Sequence, residues 1–216
     1  MTTRTKLNSL AMFCLAVLLS TNATAQVTDH LNISAGAGFT DPTGRAGRNL
    51  NTGWNLDFRG GFNASRHFLL DLDFNYNYWG LNSAALARVG EPGGNSSIWS
   101  LSFDPVYRLA PDHKLDPYVL GGPGLYRWNL SLTRPGTVST LVCDPFFGFC
   151  FPAVVGVTQV VASNTSYKLG ANVGAGLEVS LGDRRLKAFA EARYSKMFTT
   201  HGSDLEFVPV TFGLRW

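Results

Sequence analysis

The chain has 216 residues, with 18 Lys and Arg against 15 Asp and Glu, and only 15% of its side chains are charged beside 45% hydrophobic ones. A near-neutral chain without a basic run lacks the concentrated positive footprint that nucleic-acid binding needs, and the length is that of one domain. No apolar run approaches the roughly 20 residues of a membrane-spanning helix, so any crossing of a bilayer must be made by strands.

The N-terminus reads as an export signal. Arg4 and Lys6 form a positive n-region, Leu10 to Leu19 (LAMFCLAVLL) is a short apolar core, and Ala23-Thr24-Ala25 is a small-residue cleavage site. That core is too short to span a bilayer, and Cys14, inside it behind the bulky Phe13, is discarded with it. Residues 1–25 are therefore expected to be a signal peptide and residues 26–216 the mature domain. Cleavage leaves 191 residues and a net charge of +1, because it removes two bases and no acid.

Eight segments of the mature chain alternate apolar and polar side chains with the period of a strand. The first, 31–39, sets Leu31, Ile33, Ala35, Ala37 and Phe39 against Asn32, Ser34, Gly36 and Gly38. In the second, 53–62, Trp54, Leu56, Phe58 and Phe62 face away from Asn55, Asp57 and Arg59. The third, 67–79, alternates Phe68, Leu70, Leu72, Phe74, Tyr76 and Tyr78 with Asp71, Asp73, Asn75 and Asn77. The fourth, 98–109, opposes Trp99, Leu101, Phe103, Tyr107 and Leu109 to Ser100, Ser102, Asp104 and Arg108, with Pro105 predicting a bulge or a broken ladder bond. The fifth, 117–132, is read with Tyr118, Leu120, Tyr126, Trp128 and Leu130 outward and Arg127 and Asn129 inward, bending at Gly121-Gly-Pro-Gly124. The sixth, 166–181, turns Leu169, Ala171, Val173, Ala175, Leu177 and Val179 outward and Lys168, Asn172 and Glu178 inward. The seventh, 187–197, sets Ala188, Ala190, Ala192 and Tyr194 against Glu191, Arg193 and Ser195. The eighth ends the chain: Val208, Val210, Phe212, Leu214 and Trp216 share one face, between Pro209, Thr211, Gly213 and Arg215.

Connections alternate in length. Short turns fall at 63–66, 110–116 and 182–186, and long segments at 40–51, 80–97, 133–165 and 199–204. Transmembrane barrels sort their turns in this way; a soluble sandwich has no reason to. A lipocalin-like soluble barrel would also show eight alternating strands, with the apolar face inward. Against it stand aromatic residues clustered near strand ends (Trp54, Tyr78, Trp79, Trp99, Tyr107, Tyr118, Trp128, Tyr194, Trp216), read as interfacial girdles. Glycines thinning the polar face also suit a narrow barrel. The fold expected is all-β: an eight-stranded antiparallel up-and-down transmembrane barrel.

The polar faces then carry Asp57, Asp71, Asp73, Asp104, Glu178 and Glu191 against Arg59, Arg108, Arg127, Lys168, Arg193 and Arg215. An eight-stranded barrel is just wide enough for side chains to fill, and charges confined there must pair or bear a large desolvation penalty. Six acids facing six bases predict a self-neutralising plug, not an ion-selective pore. Catalytic chemistry is sparse. The one suggestive cluster, His201-Gly-Ser-Asp204, lies on a single loop, where a catalytic triad seldom converges. No histidine pair has metal-ligand spacing and no glycine-rich phosphate loop precedes a helix, so neither metal nor cofactor is expected.

The long segment 133–165 holds the two mature cysteines, Cys143 and Cys150, around Asp-Pro-Phe-Phe-Gly-Phe. Outside the cytoplasm this spacing favours a disulfide. With β-prone flanks it predicts a projecting hairpin stapled near a tip that exposes Phe146, Phe147, Phe149 and Phe151. Such apolar patches mark contact with a partner or lipid; these rings packing on other loops is the alternative.

Together, the signal peptide, the eight alternating segments and the terminal strand Val208–Trp216 resemble the small outer-membrane β-barrel proteins of Gram-negative bacteria, the OmpA/OmpX-like, porin-family group. The resemblance covers the whole mature chain. It implies residence in the outer membrane, contact with its lipid, and recognition of the Val208–Trp216 strand by the barrel-assembly machinery, although family members usually end on Phe and this chain ends on Trp216. It leaves the role open: a non-enzymatic structural or adhesion-like surface protein acting as a monomer through its loops, a narrow conduit for small solutes or apolar molecules, or a lipid A-modifying enzyme. The sequence lacks the His-x-Ser-Asn motif that deacylases of this fold carry near their last strands.

Overall fold

The computed structural model describes residues 30–111, 113–182, 186–199 and 204–216. The expected signal peptide, and His201 to Ser203 of the suggestive loop cluster, lie outside the described residues. Eight strands follow one another as β1 (Leu31–Thr43), β2 (Gly53–Asn63), β3 (Phe68–Gly80), β4 (Gly93–Arg108), β5 (Leu115–Cys143), β6 (Cys150–Ser180), β7 (Lys187–Met197) and β8 (Leu205–Arg215). Each pairs antiparallel with its sequence neighbour, and β1 pairs with β8 to close the barrel. Closure runs to the last residue: the Trp216 N–H donates to the Ile33 carbonyl at 2.8 Å, and the Ile33 N–H donates back at 3.1 Å. A closed ring leaves no unpaired edge in the sheet, which a bilayer interior demands.

Inner and outer faces are the reverse of a soluble protein's. Asp57, Asp71, Asp73, Asn77 and Asp104 are fully buried, while Ile33, Leu72 and Leu169 are 64%, 52% and 71% exposed. The alternation fixes this, because a shift of one residue would exchange the two faces along a whole strand. A lipocalin-like arrangement, with apolar residues inside, is therefore excluded.

β5 differs from expectation. Asp116, Tyr118, Leu120 and Tyr126 are buried inside the barrel, and Val119, Leu125 and Arg127 face outward. The aromatic rings lie over glycines of β6: a Cβ on Gly176 would meet the Tyr118 ring at 2.4 Å, and one on Gly170 the Tyr126 ring at 2.6 Å. Inner-face glycines thus make room for large inward side chains, and aromatic character alone is no guide to the lipid face. Trp79 is corrected likewise. It shares the parity of Asp71, Asp73, Asn75 and Asn77 and is fully buried, not part of a girdle. Trp54, Tyr76, Tyr78 and Trp99 form the outer aromatic cluster, with centroids 4.4 Å apart for Tyr76–Trp99 and 5.7 Å for Trp54–Tyr78.

The β4–β5 ladder is interrupted between Ser102↔Gly124 and Val106↔Leu120, where Pro105 has no N–H to give. There Gly122 lets the strands approach closely, since a Cβ on it would lie 1.9 Å from the Phe103 carbonyl oxygen. At the long-loop end, the β3–β4 connection contains α1 (Ser83–Val89), capped by the Asn82 side chain on the Ala85 N–H and ended by Gly90 at φ 69°. A 3-10 turn (Ala46–Arg48) follows β1. β5 and β6 outrun their neighbours: β4 pairs with β5 only as far as Thr133, and β7 with β6 only as far as Gly170. Beyond that level they continue as a two-stranded hairpin to Cys143↔Cys150, with a register irregularity at Leu132/Thr133.

Candidate functional site

Two ion-paired layers fill the lumen. The central layer is organised on Arg59 of β2 and Arg193 of β7. Arg59 grips Glu191 with both terminal nitrogens (2.7 and 2.9 Å), and its Nε lies 2.7 Å from Asp57 and 3.0 Å from Asp73. Arg193 bonds Glu191 and Asp73, and reaches Asp104 at 3.0 Å. The Tyr118 hydroxyl donates to Glu191 at 2.7 Å, Asn75 to Asp57 at 3.1 Å, and Asn172 to Asp104 at 2.9 Å. The Arg59 guanidinium also lies 4.9 Å from the Phe189 ring centroid. Elements far apart in sequence are thus tied across the bore.

The second layer lies toward the short turns. Arg215 of β8 joins Asp71 (3.0 Å) and Glu178. Arg108 and Lys187 approach Glu178 at 3.3 and 3.1 Å and Asp116 at 3.6 and 3.8 Å.

Ten of the twelve charged residues expected inside are paired in these layers. Arg127 is not: it stands on the outer face of β5 over the Tyr167 ring, 5.8 Å from its centroid, because β5's inner parity belongs to Asp116, Tyr118 and Tyr126. Lys168 is half-buried on the inner side of β6, nearer the long-loop end. Asp116, Lys187 and the Tyr118 hydroxyl join unforeseen. Lys187 has the parity of Glu191 and Arg193, so the alternation alone suffices to find it; Asp116 falls in the segment 110–116 that reads as a turn but belongs to β5. The even charge balance is also corrected. The short-turn layer matches three acids with three bases, but the central layer sets Asp57, Asp73, Asp104 and Glu191 against two guanidinium groups.

Above the central layer the lumen turns apolar: Trp79, Ile98, Tyr126, Met197 and Phe207 pack together and are all but fully buried, with Leu50, Trp128 and Leu205 against them. Among the described residues no group of three or more His, Cys, Asp or Glu side chains is arranged to hold a metal ion.

The hairpin tip is bound by the Cys143–Cys150 disulfide. The Asp144 carboxylate accepts from the N–H groups of Phe146 (2.7 Å) and Phe147 (3.0 Å), and Gly148 turns the chain at φ 72°. This fixed turn presents Phe146 and Phe147 at 89% and 81% exposure, while the Phe149 and Phe151 rings lie tilted against each other with centroids 5.9 Å apart. Among the described residues no other loop covers the first two rings. On β8, Val208, Val210, Phe212, Leu214 and Trp216 lie on the outer, lipid-side face.

A closed ring with an apolar outside and an ion-paired inside defines a transmembrane β-barrel. The chain belongs to the outer membrane protein beta-barrel domain family, whose profile matches residues 11–216, and the outer membrane of a Gram-negative bacterium is its location. Among solved structures it is similar in fold to Neisserial surface protein A, with 12% identity, 86% of this chain and 95% of that one covered, and a TM-score of 0.56. It is likewise similar to a major outer membrane protein from Thermus thermophilus, with 11% identity, coverage of 86% and 98%, and a TM-score of 0.52. No curated protein is similar enough in sequence to count as a relative.

Proposed function

We propose that this protein is a non-enzymatic surface-interaction protein of the outer membrane, exported by the signal peptide 1–25, that acts through the β5–β6 hairpin. The observation that carries this reading is the pair Phe146 and Phe147, 89% and 81% exposed on a turn that the disulfide and Asp144 hold in one shape. Exposing two rings to water is unfavourable by about 1.5–3 kcal/mol each relative to burying them. A covalently closed turn that nonetheless presents them fits a surface meant to be covered by a partner. The alternative conduit role draws little support from a bore crossed by two layers of paired side chains.

The test is adherence of bacteria that display the protein, compared with a Phe146→Ser/Phe147→Ser variant. Heat-modifiable electrophoretic mobility serves as the folding control. Adherence should fall to the level of cells without the protein while mobility is kept; adherence equal to wild type from a folded variant would refute the proposal.

A further inference from the structure

The mouth of the barrel contains a cavity of about 470 Å³ between α1, the turn after β1, the upper parts of β4 and β5, and the start of β8. The volume is within the range of small-molecule sites. Its apolar walls include Leu50, Leu81, Ala85, Val89, Trp128 and Leu205, its charged lining groups are Arg45, Arg88 and Asp204, and Leu50, Trp128 and Leu205 rest on the Trp79–Phe207 layer beneath. That layer separates the cavity from the ion pairs below, so the cavity is a blind pocket. It opens at the long-loop end, so the bilayer does not cover its apolar walls.

We propose that this pocket binds a single-chain anionic amphiphile: an acyl chain against the apolar walls and a carboxylate on Arg88. Arg88 lies in the last turn of α1 and lines the pocket. Its guanidinium donates to two uncharged acceptors, the Ala84 carbonyl at 3.1 Å and the Asn49 side-chain oxygen at 2.6 Å, and pairs with no carboxylate among the described residues. It is therefore oriented but not neutralised. Asp204, the acid in the lining, is satisfied by Lys196 at 3.1 Å and by the Thr199 N–H at 3.0 Å. The Trp128 indole N–H is committed to Ser96 at 2.7 Å. A cation beside an apolar wall matches a ligand with an anionic head and an apolar tail, and a charge-assisted bond to a carboxylate would fix its orientation. This site is distinct from the hairpin tip and does not depend on the adhesive role.

The experiment is photo-crosslinking of the refolded barrel in lipid nanodiscs with a medium-chain fatty acid bearing a diazirine, with labelled peptides identified by mass spectrometry. Label should saturate on Ser83–Val89 and around Trp128, and be displaced by the unlabelled acid but not by the alcohol of equal chain length. Removal of a charged hydrogen bond is worth about tenfold in affinity, so Arg88→Gln should weaken pocket labelling by about that factor. Labelling of the lipid-facing strand around Leu72 should stay unchanged as an internal reference. Val89→Glu, which sets a like charge on the wall without touching Arg88, should have the same effect. Label confined to lipid-facing strands, or pocket labelling in both variants equal to wild type, would overturn the proposal.

Discussion

Glu191 accepts four hydrogen bonds, two from Arg59, one from Arg193 and one from Tyr118. Its loss leaves two buried guanidinium groups short of a partner. Removing one member of a buried ion pair costs about 3–5 kcal/mol, so Glu191→Leu should lower the temperature of the heat-modifiable transition strongly while leaving bilayer permeability unchanged. Asp73 is a contrasting case. It belongs to a layer with four carboxylates and two guanidinium groups, and its Oδ1 has no hydrogen-bond partner. Asp73→Asn removes surplus negative charge and keeps an acceptor, so it should cost no more than about 1 kcal/mol; a loss as large as that of Glu191→Leu would mean that every carboxylate of the layer is needed as a charge. On the outside, Leu72 is 52% exposed on β3, and an arginine near mid-membrane there should cost about 2–4 kcal/mol, read by equilibrium unfolding in lipid vesicles.

Strand extents and faces were legible where polar and apolar residues alternate strictly, as at Asp71, Asp73, Asn75 and Asn77 of β3. β5 was not legible, because both of its faces carry large side chains. Its inward Leu120 is as apolar as its outward Val119 and Leu125, its inward Tyr118 and Tyr126 are as bulky as any outward residue, and only the depth supplied by Gly170 and Gly176 of β6 decides between the faces. Spacing in one strand cannot show a cavity made by another. The pocket at the mouth was hidden for the same reason, since α1, β4, β5 and β8 meet there only after closure. The hairpin, by contrast, was announced by its two cysteines and β-prone flanks. Because it extends beyond the levels at which β4 and β7 pair with it, Cys143→Ser/Cys150→Ser should leave the barrel's unfolding transition unchanged but speed proteolysis between 143 and 150. At the other end of the chain, Trp216 pairs with Ile33 across the closing seam. Deleting Trp216 should reduce insertion into the outer membrane, measured as the folded fraction in isolated envelopes; normal insertion would remove the terminal strand's proposed role as an assembly signal.

For the whole molecule, the sheet is closed, its outer face is apolar, and its bore is crossed in succession by a short-turn ion layer, a central ion layer and an apolar layer. Each removes room for a continuous water column in a barrel of eight strands, where side chains suffice to fill the interior. The hairpin and the mouth pocket stand above this plug, so what the protein meets at the surface need not pass through it. The most direct test is single-channel recording of the folded mature barrel in a planar bilayer. The plugged lumen predicts a flat baseline, and the same baseline with the apolar layer opened by Phe207→Ala, because the ion layers below remain. A stable, stepwise current from the wild-type barrel would contradict it and make transport the protein's leading function.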